Sequence, residues 1–264
     1  MNLGTQAPAT GGEQDPARWV RAMFARVAGR YDFLNHLLSF NLDRWWRSRT
    51  VRRVRETLAK PGARVLDLCC GTGDLMLALE AARGGPVFGS DFCHPMLVAA
   101  QRKIARGRRR SMLFEADALR LPVADGSLDL ITVAFGFRNL ADYRAGLAEM
   151  FRVLRPGGVA AILEFSQPPN PLFARLYDFY SRRILPRIGG LVSGARDAYE
   201  YLPESVRNFP SAERLVEEMQ AAGFRDISFE RMSGGIVALH LGRKGEAGLG
   251  GPPDKRDRSG GRAS

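Results

Sequence analysis

The sequence is poor in cysteine and histidine, with three of each in 264 residues. Cys69 and Cys70 are adjacent and Cys93 stands alone, so no disulfide framework can be drawn and a reducing compartment is expected. His36, His94 and His240 lie far apart and show no metal-ligand spacing with the cysteines; no metal is expected. No apolar run approaches the roughly 20 residues needed to span a bilayer. The opening stretch, MNLGTQAPATGGEQDPA, lacks both a basic and an apolar region. It does not read as a secretory signal, and a cytoplasmic protein is expected. Acidic residues are also in short supply, 28 against 39 basic ones, for a net charge of +11. That excess attracts polyanions, either nucleic acid or an anionic membrane surface, and an arginine-rich proteome produces it as well. What is abundant is ordinary: 45% hydrophobic and 25% charged residues are enough for one sizeable core.

Residues 1–15 and 245–264 are rich in Gly, Pro, Ser and charge and read as disordered tails. Between them, 16–244 reads as a single domain. Short β-rich runs alternate with helical patterns: strands at Arg64–Leu68, Pro86–Gly89 (closing in Ser90-Asp91), Ser111–Ala116, Leu128–Ala134 and Val159–Phe165. Helices fall at Leu75–Arg83, Pro95–Ala105 and Ala141–Leu154, the last stopped by LRPGG. After an insertion at 167–210 come a helix, Ala212–Ala222, and strands Asp226–Arg231 and Ile236–Gly242 joined through Ser233-Gly234-Gly235. Such alternation demands crossover connections. The expected fold is α/β: a doubly wound, seven-stranded, mostly parallel sheet, Rossmann-like, with its last strand antiparallel.

The segment VLDLCCGTGD places Gly71 and Gly73 where a strand turns sharply into a helix, letting a ligand approach the backbone. A dinucleotide loop would carry a third glycine. Instead Asp67 precedes the turn and Asp74 follows it, and two carboxylates repel a pyrophosphate. They suit a zwitterion with an added positive charge, and S-adenosylmethionine has an α-amino group and a sulfonium. Thr72 offers a hydroxyl to its carboxylate. Asp91, closing the second strand, is placed to accept from ribose hydroxyls, in bonds of roughly 1.5–3 kcal/mol each. After the third strand, Asp117 is read against the adenine amino group and the Ala118 amide against a ring nitrogen. One acidic strand end is a common cap; three in register point to a nucleoside pocket. The three cysteines are read as small packing residues rather than thiolates.

ARVAGRYDFLNHLLSFNLDRWWR, LDLCCGTGDL, AFGFRNLADYRAGLAEMFRVLRPGG and SGGIVALHLGRK together resemble the menaquinone and ubiquinone C-methyltransferases of the UbiE and MenG type. LDxxxGTGD and LRPGG are widespread among class I methyltransferases, whereas VAxxYDxxN at Val27–Asn35 and FGxRN at Phe135–Asn139 are far more specific. The resemblance runs from about Val20 to Lys244. It implies methyl transfer from S-adenosylmethionine to a ring carbon of a demethylmenaquinol or of a polyprenyl benzoquinol. It also implies cofactor contacts at Thr72, Asp91, Asp117 and Ala118. Some members carry a serine before FGxRN among those contacts; here Ala134 occupies the position.

Such a reaction needs the reduced ring, because an oxidised quinone carbon is too electron-poor to attack a methyl group. Ionising a quinol hydroxyl, near pKa 10 unaided, enriches the neighbouring carbon. Arg138 stays charged, so it is read as the phenolate's electrostatic stabiliser rather than as a base; a salt bridge to Asp129 or Asp142 is its structural alternative. Asn139 is read as orienting Arg138 or a substrate oxygen. The proton leaves through water, Asp32, Tyr31 or His36, which spacing does not rank.

Met23, Phe24, Val27, Tyr31, Leu34 and Leu38 recur at helical spacing within 16–60, read as a helical lid over the cofactor end of the sheet. In the insertion, Phe173, Leu176, Tyr177, Tyr180 and Ile184 are expected on one helical face, with Arg175, Arg182, Arg183 and Arg187 mostly away from it. That face suits an anionic membrane holding the prenylated substrate, and equally suits packing on the domain or on a homodimer partner. Arg196, Tyr199, Tyr201 and Arg207 follow in a stretch able to close over the ring. A nucleic-acid methyltransferase is disfavoured. The loop after strand four has AFGFRN where amino-methylating enzymes carry Pro-Pro-aromatic, and no Pro-Cys pair serves base-carbon chemistry. RGRRR at Arg106–Arg110 is the only tight basic cluster and reads as a solvated helix end. A non-catalytic cofactor-binding scaffold is the remaining rival, and the intact cofactor positions argue against it.

Overall fold

In the computed structural model the described residues are 16–245, excepting 30, 185 and 188–195. Both tails, apart from Gly245, lie outside them. Seven strands form one sheet: β1 Val65–Leu68, β2 Phe88–Asp91, β3 Met112–Glu115, β4 Leu128–Ala134, β5 Leu154–Phe165, β6 Phe224–Met232 and β7 Val237–Lys244. Their order is β3-β2-β1-β4-β5-β7-β6. β7 slots between β5 and β6 and runs antiparallel to both; the antiparallel orientation is the one expected from the join through Ser233-Gly234-Gly235. The other neighbouring pairs are parallel.

The two-residue period of a strand assigns the core. Leu66, Leu68, Ile131, Val133, Ala160 and Ile162 face one side and meet α7 (Tyr143–Val153) and α10 (Ala212–Ala221) through Leu147, Met150, Leu215 and Met219. Val65, Leu130, Ala161 and Leu163 face the other and meet α3 (Leu42–Arg53), α4 (Arg55–Leu58) and α5 (Asp74–Arg83) through Trp46, Leu58, Leu75 and Leu79. Strands buried on both faces explain the nearly continuous apolar run of Leu130, Ile131, Val133 and Ala134 in β4, broken only by Thr132. Helix starts are fixed locally. Asp142 accepts from the amides of Arg144 and Ala145 to cap α7, and Ser211 accepts from that of Arg214 to cap α10.

Ahead of β1, the apolar stripe read as one periodic stretch is two helices, α1 (Pro16–Val27) and α2 (Tyr31–Leu38). They cover the carboxyl ends of the strands. Val27, Phe24 and Tyr31 pack with Cys93 and Met96 of α6 (His94–Arg106). The insertion supplies α8 (Pro171–Phe179), a π-helical turn at Tyr180–Ile184 and α9 (Arg196–Asn208). Val20 and Met23 pack with Tyr201 of α9, and Leu34 with Tyr180 and Leu202. One expected feature of the insertion is corrected. Leu176 does not share the inward face with Phe173, Tyr177 and Tyr180; it is 64% exposed, in a row with Leu172 and Phe179. The α-helix ends at Phe179 and becomes a π turn, so a single 3.6-residue stripe does not continue to Ile184.

His240 on β7 is buried, donates from Nε2 to the Ala212 carbonyl at 2.9 Å and stacks on Phe229. Burial pushes its pKa down to about 4. The unfolded chain therefore binds a proton between about pH 6.5 and 4 that the folded chain refuses, and stability falls as pH drops through that window, by at most about 1.4 kcal/mol per unit. His240→Gln is expected to flatten this acid slope in urea titrations run across the window. An unchanged slope would assign the acid sensitivity to other groups.

Candidate active site

Strand order reverses direction between β1 and β4, and an open sheet offers its ligand crevice at such a point. A cleft of about 100 Å³ lies there, lined by Leu68, Cys69, Gly71, Asp91, Asp117, Ala118, Ala134 and Asn139 among others. Asp91 is 7% exposed; its carboxylate accepts from the amides of Gly71 at 2.8 Å and Cys93 at 2.9 Å. Burial raises its pKa, and these backbone bonds pull against the rise. The carboxylate keeps acceptor capacity for a further donor. Asp117 accepts from the Leu119 amide at 2.9 Å. The loops after β1 and β4 touch: a Cβ on Gly136 would sit 2.5 Å from Cys69 Cβ, so only glycine allows this approach. Around Gly71, by contrast, a Cβ would meet nothing within 4 Å, leaving the turn open to a ligand.

Four residues read as flanking the cofactor are not among the lining. Asp67 is 1% exposed and accepts from Thr132 Oγ1 at 2.7 Å; burial raises its pKa to about 7. Gly73, at φ +85°, is the N-cap of α5, tight against Met76 and Ala100. Thr72 is buried, donates to Asp32 and accepts from Lys103 Nζ at 3.1 Å. Asp74 is held by Lys103 at 2.6 Å. Asp67 and Asp74 thus have their own partners, and the charge argument drawn from their positions in sequence is not the geometry found. The cysteines are neutral packing groups: burial first, then the Asp91 and Asp67 carboxylates, push the Cys69 and Cys70 thiols well up. Burial raises Cys93 too.

A second void of about 260 Å³ adjoins the cleft, and Phe24, Tyr31 and Phe135 line both. Its walls are aromatic and apolar, with Met23, Val27 and Leu38 from the lid, Trp46 from α3, Phe165 from β5, and Tyr177, Tyr180, Tyr201 and Leu202 from the insertion. Phe135 holds a left-handed φ of 60°, unusual for a bulky residue. Its amide donates to the Leu163 carbonyl at 2.9 Å, and its own carbonyl accepts from Arg138 Nη1 at 2.6 Å. The ring then lies 4.9 Å from Phe165 and 5.8 Å from Trp46.

Arg138 lines this void, 7% exposed, its Cζ 5.2 Å from the Phe165 ring centroid. Its salt-bridge partner is Glu164 at 2.8 Å rather than Asp129 or Asp142. Asp129 pairs with Arg155 and the Arg64 amide, and Asp142 is the cap of α7. Glu164 also accepts from the amides of Arg138 and Phe165, while Arg138 Nε donates to Ser205 Oγ on α9. Asn139 does not reach Arg138; its Oδ1 accepts from the Tyr201 hydroxyl at 3.1 Å. Glu164 escaped sequence reading because it reaches Arg138 through the pairing of β4 with β5, which spacing along the chain does not show.

The proton-acceptor candidates separate. Tyr31 borders both voids, and burial raises its pKa. Asp32 turns to Thr72 and to Lys103 Nζ at 2.6 Å. His36 Nδ1 bonds Asp43 at 2.7 Å and is not in the lining of either void, whereas Asn35, Ser39 and Asp43 line the larger one. His36, Asp43 and Asp74 converge within 4.8 Å, a grouping invisible in sequence spacing. Arg47 and Lys103 already balance the two carboxylates, so the cluster is an ion-pair network.

A family model described as the ubiE/COQ5 methyltransferase family matches residues 11–244. Over 222 residues the chain is 51% identical to a demethylmenaquinone methyltransferase of Thermus thermophilus, covering 83% of this chain and 99% of that one. It is 45% identical to a ubiquinone/menaquinone biosynthesis C-methyltransferase UbiE of Geobacter sulfurreducens, covering 86% and 88%. Among solved structures, a SAM-dependent methyltransferase from Thermotoga maritima superposes with a TM-score of 0.60 at 18% identity, over 84% of this chain and 98% of that one, a likeness of fold.

Removing Glu164 strands a buried guanidinium. Glu164→Ala is expected to cost about 3–5 kcal/mol in denaturant unfolding, and Glu164→Gln, which keeps an acceptor, distinctly less. A wild-type midpoint for Glu164→Ala would mean that the pair does not hold this edge together.

Proposed function

The chain belongs to the ubiE/COQ5 methyltransferase family, and on that premise we propose that it methylates a ring carbon of demethylmenaquinol, giving menaquinol. The observation that carries this reading is the aromatic void with a buried arginine in its wall, joined to the cofactor cleft across Tyr31 and Phe135. The cleft fits S-adenosylmethionine: an acidic side chain with spare acceptor capacity at Asp91, Asp117 and Ala118 beyond β3, and an open glycine turn. When bound, that cofactor supplies an electrophilic methyl group on a sulfonium.

The rest of the chemistry falls to the chain. A flat dihydroxy ring matches walls made of Trp46, Phe135 and Phe165. Arg138 stabilises the phenolate that makes the ring carbon nucleophilic, in a site whose apolar walls strengthen the attraction. Glu164 fixes the guanidinium, and Asn139 with Tyr201 fixes the loop that carries it. Tyr31, held protonated by burial, serves as a donor and as the partition between ring and methyl group rather than as a base. Asp32, committed to Thr72 and Lys103, latches the lid to the cofactor loop. Water is then the simplest carrier of the proton.

Access supports a membrane source for the substrate. No helix among the described residues is long and apolar enough to cross a membrane. Yet Phe33, Leu37, Phe40 and Leu42 of the lid, and Leu172, Leu176 and Phe179 of α8, expose large apolar side chains, and Phe40 and Leu42 also line the void. Arg175, Arg182 and Arg183 stand exposed on the same insertion. Peripheral contact with an anionic bilayer would cover this surface and leave a prenyl tail in lipid while the ring enters.

Two measurements follow. Label from S-adenosylmethionine is expected on demethylmenaquinol only with reductant present; label on the benzoquinol alone would move the reaction to ubiquinone synthesis, and label on neither would refute the quinol reading. Leu172→Glu with Leu176→Glu and Phe179→Glu is expected to weaken co-sedimentation with phosphatidylglycerol vesicles by about tenfold or more. Unaltered co-sedimentation would remove this face from membrane contact.

A further inference from the structure

Arg138 supplies one cation to the wall of the larger void, but a para-dihydroxy ring presents two oxygens. A second guanidinium stands on the same wall. Arg47, on α3, lines the void with its side chain 12% exposed, and its Cζ lies 5.5 Å from the centroid of Phe135. Phe135 is the ring 4.9 Å from Phe165, over which Arg138 sits. The two guanidiniums therefore cap two neighbouring rings of one aromatic surface.

Arg47 is held in place with some care. Its Nη1 is ion-paired to Asp43, and Asp43 is itself fixed by Ser39 Oγ at 2.8 Å and His36 Nδ1 at 2.7 Å. Among the described residues the guanidinium donates to Asp43 alone, although arginine has five N–H donors in a rigid fork. Arg47 also borders the outer groove between α3 and α5, where water can take some of them. The stacking against Phe135 keeps the group at the void as well. Both arginines act on one point: each pulls the Tyr31 phenol pKa downward against the effect of burial, Arg138 more than Arg47.

We propose that Arg47 binds the second ring oxygen of the substrate, para to the oxygen that faces Arg138, so that the ring is held at both ends. This rests on the quinol reading above. A ring gripped by one oxygen can swing about that contact, whereas two grips hold one ring edge toward the partition at Tyr31 and Phe135. Arg47 is thus a substrate-binding residue whose part is orientation, and Asp43 is its positioning residue.

The test compares two ligands carrying the same short prenyl tail, a 1,4-dihydroxynaphthalene and a monohydroxynaphthalene, by anaerobic titration of the whole protein under reductant. Wild type is expected to bind the diol about tenfold or more tighter, the worth of one charge-assisted hydrogen bond. Arg47→Met should abolish that preference while leaving the monohydroxy ligand's affinity within about twofold, and Arg47→Lys should restore part of it. Asp43→Asn combined with Arg47→Met removes the stranded carboxylate and is expected to repeat the result if the single variant folds poorly; affinity for S-adenosylmethionine checks the fold. A diol preference that survives in both variants overturns the assignment to Arg47. Equal binding of both ligands by wild type overturns the two-oxygen grip itself. Binding of neither ligand by wild type sinks the quinol reading and this inference with it.

Discussion

The carboxyl edge of the sheet depends on one buried ion pair, Arg138 with Glu164. Taking two charges out of water is costly, and the attraction compensates only if the remaining donors and acceptors are also satisfied. Here most are: Glu164 takes the amides of Arg138 and Phe165 besides the guanidinium, and the guanidinium reaches the Phe135 carbonyl and Ser205. These bonds tie the loop after β4 to the end of β5 and to the insertion helix α9. The left-handed backbone at Phe135 is held by the same set, and with it the ring that divides the cleft from the larger void.

The covering elements are tied down differently. Lid and insertion meet mainly through apolar contacts, Trp19 with Tyr201 and Leu34 with Tyr180 and Leu202, reinforced by the Tyr180 hydroxyl on the Leu38 carbonyl. A separate polar latch, Asp32 with Thr72 and Lys103, joins the lid to the turn after β1. Packing among side chains of α1, α2, α8 and α9 can loosen without disturbing the sheet, whose two faces are filled by other residues. A site that must admit an apolar tail and exclude water during reaction needs both properties.

The site was legible in the sequence where one residue's neighbours are set by the local chain. Gly71, Asp91, Asp117, Ala118, Ala134 and Asn139 all border the cleft because strand ends of a parallel sheet lie side by side. Asp67 and Thr72 sit in the same motif yet turn elsewhere, since alternate residues of a strand point to opposite faces and a turn's hydroxyl can be claimed by a lid. Arg138 could be named as a charged residue of the loop beside the cleft, but not its partner, because Glu164 reaches it only through strand pairing. Leu176 was misplaced because on α8 it falls at the edge of the inward stripe, on the side of Leu172 and Phe179 rather than of Phe173 and Tyr177.

Local chemistry by itself determined the strands, their alternation with helices, the glycine turn and the acidic strand ends, since each is written in a few adjacent residues. Contacts between distant segments were decided only by the tertiary structure. Those are the insertion of β7 between β5 and β6, the pairing of Arg138 with Glu164, the meeting of His36, Asp43 and Asp74, and the placing of Arg47 and Arg138 over two neighbouring phenyl rings. Each depends on how whole elements pack, and packing is a property of volumes and surfaces that no short stretch of sequence contains.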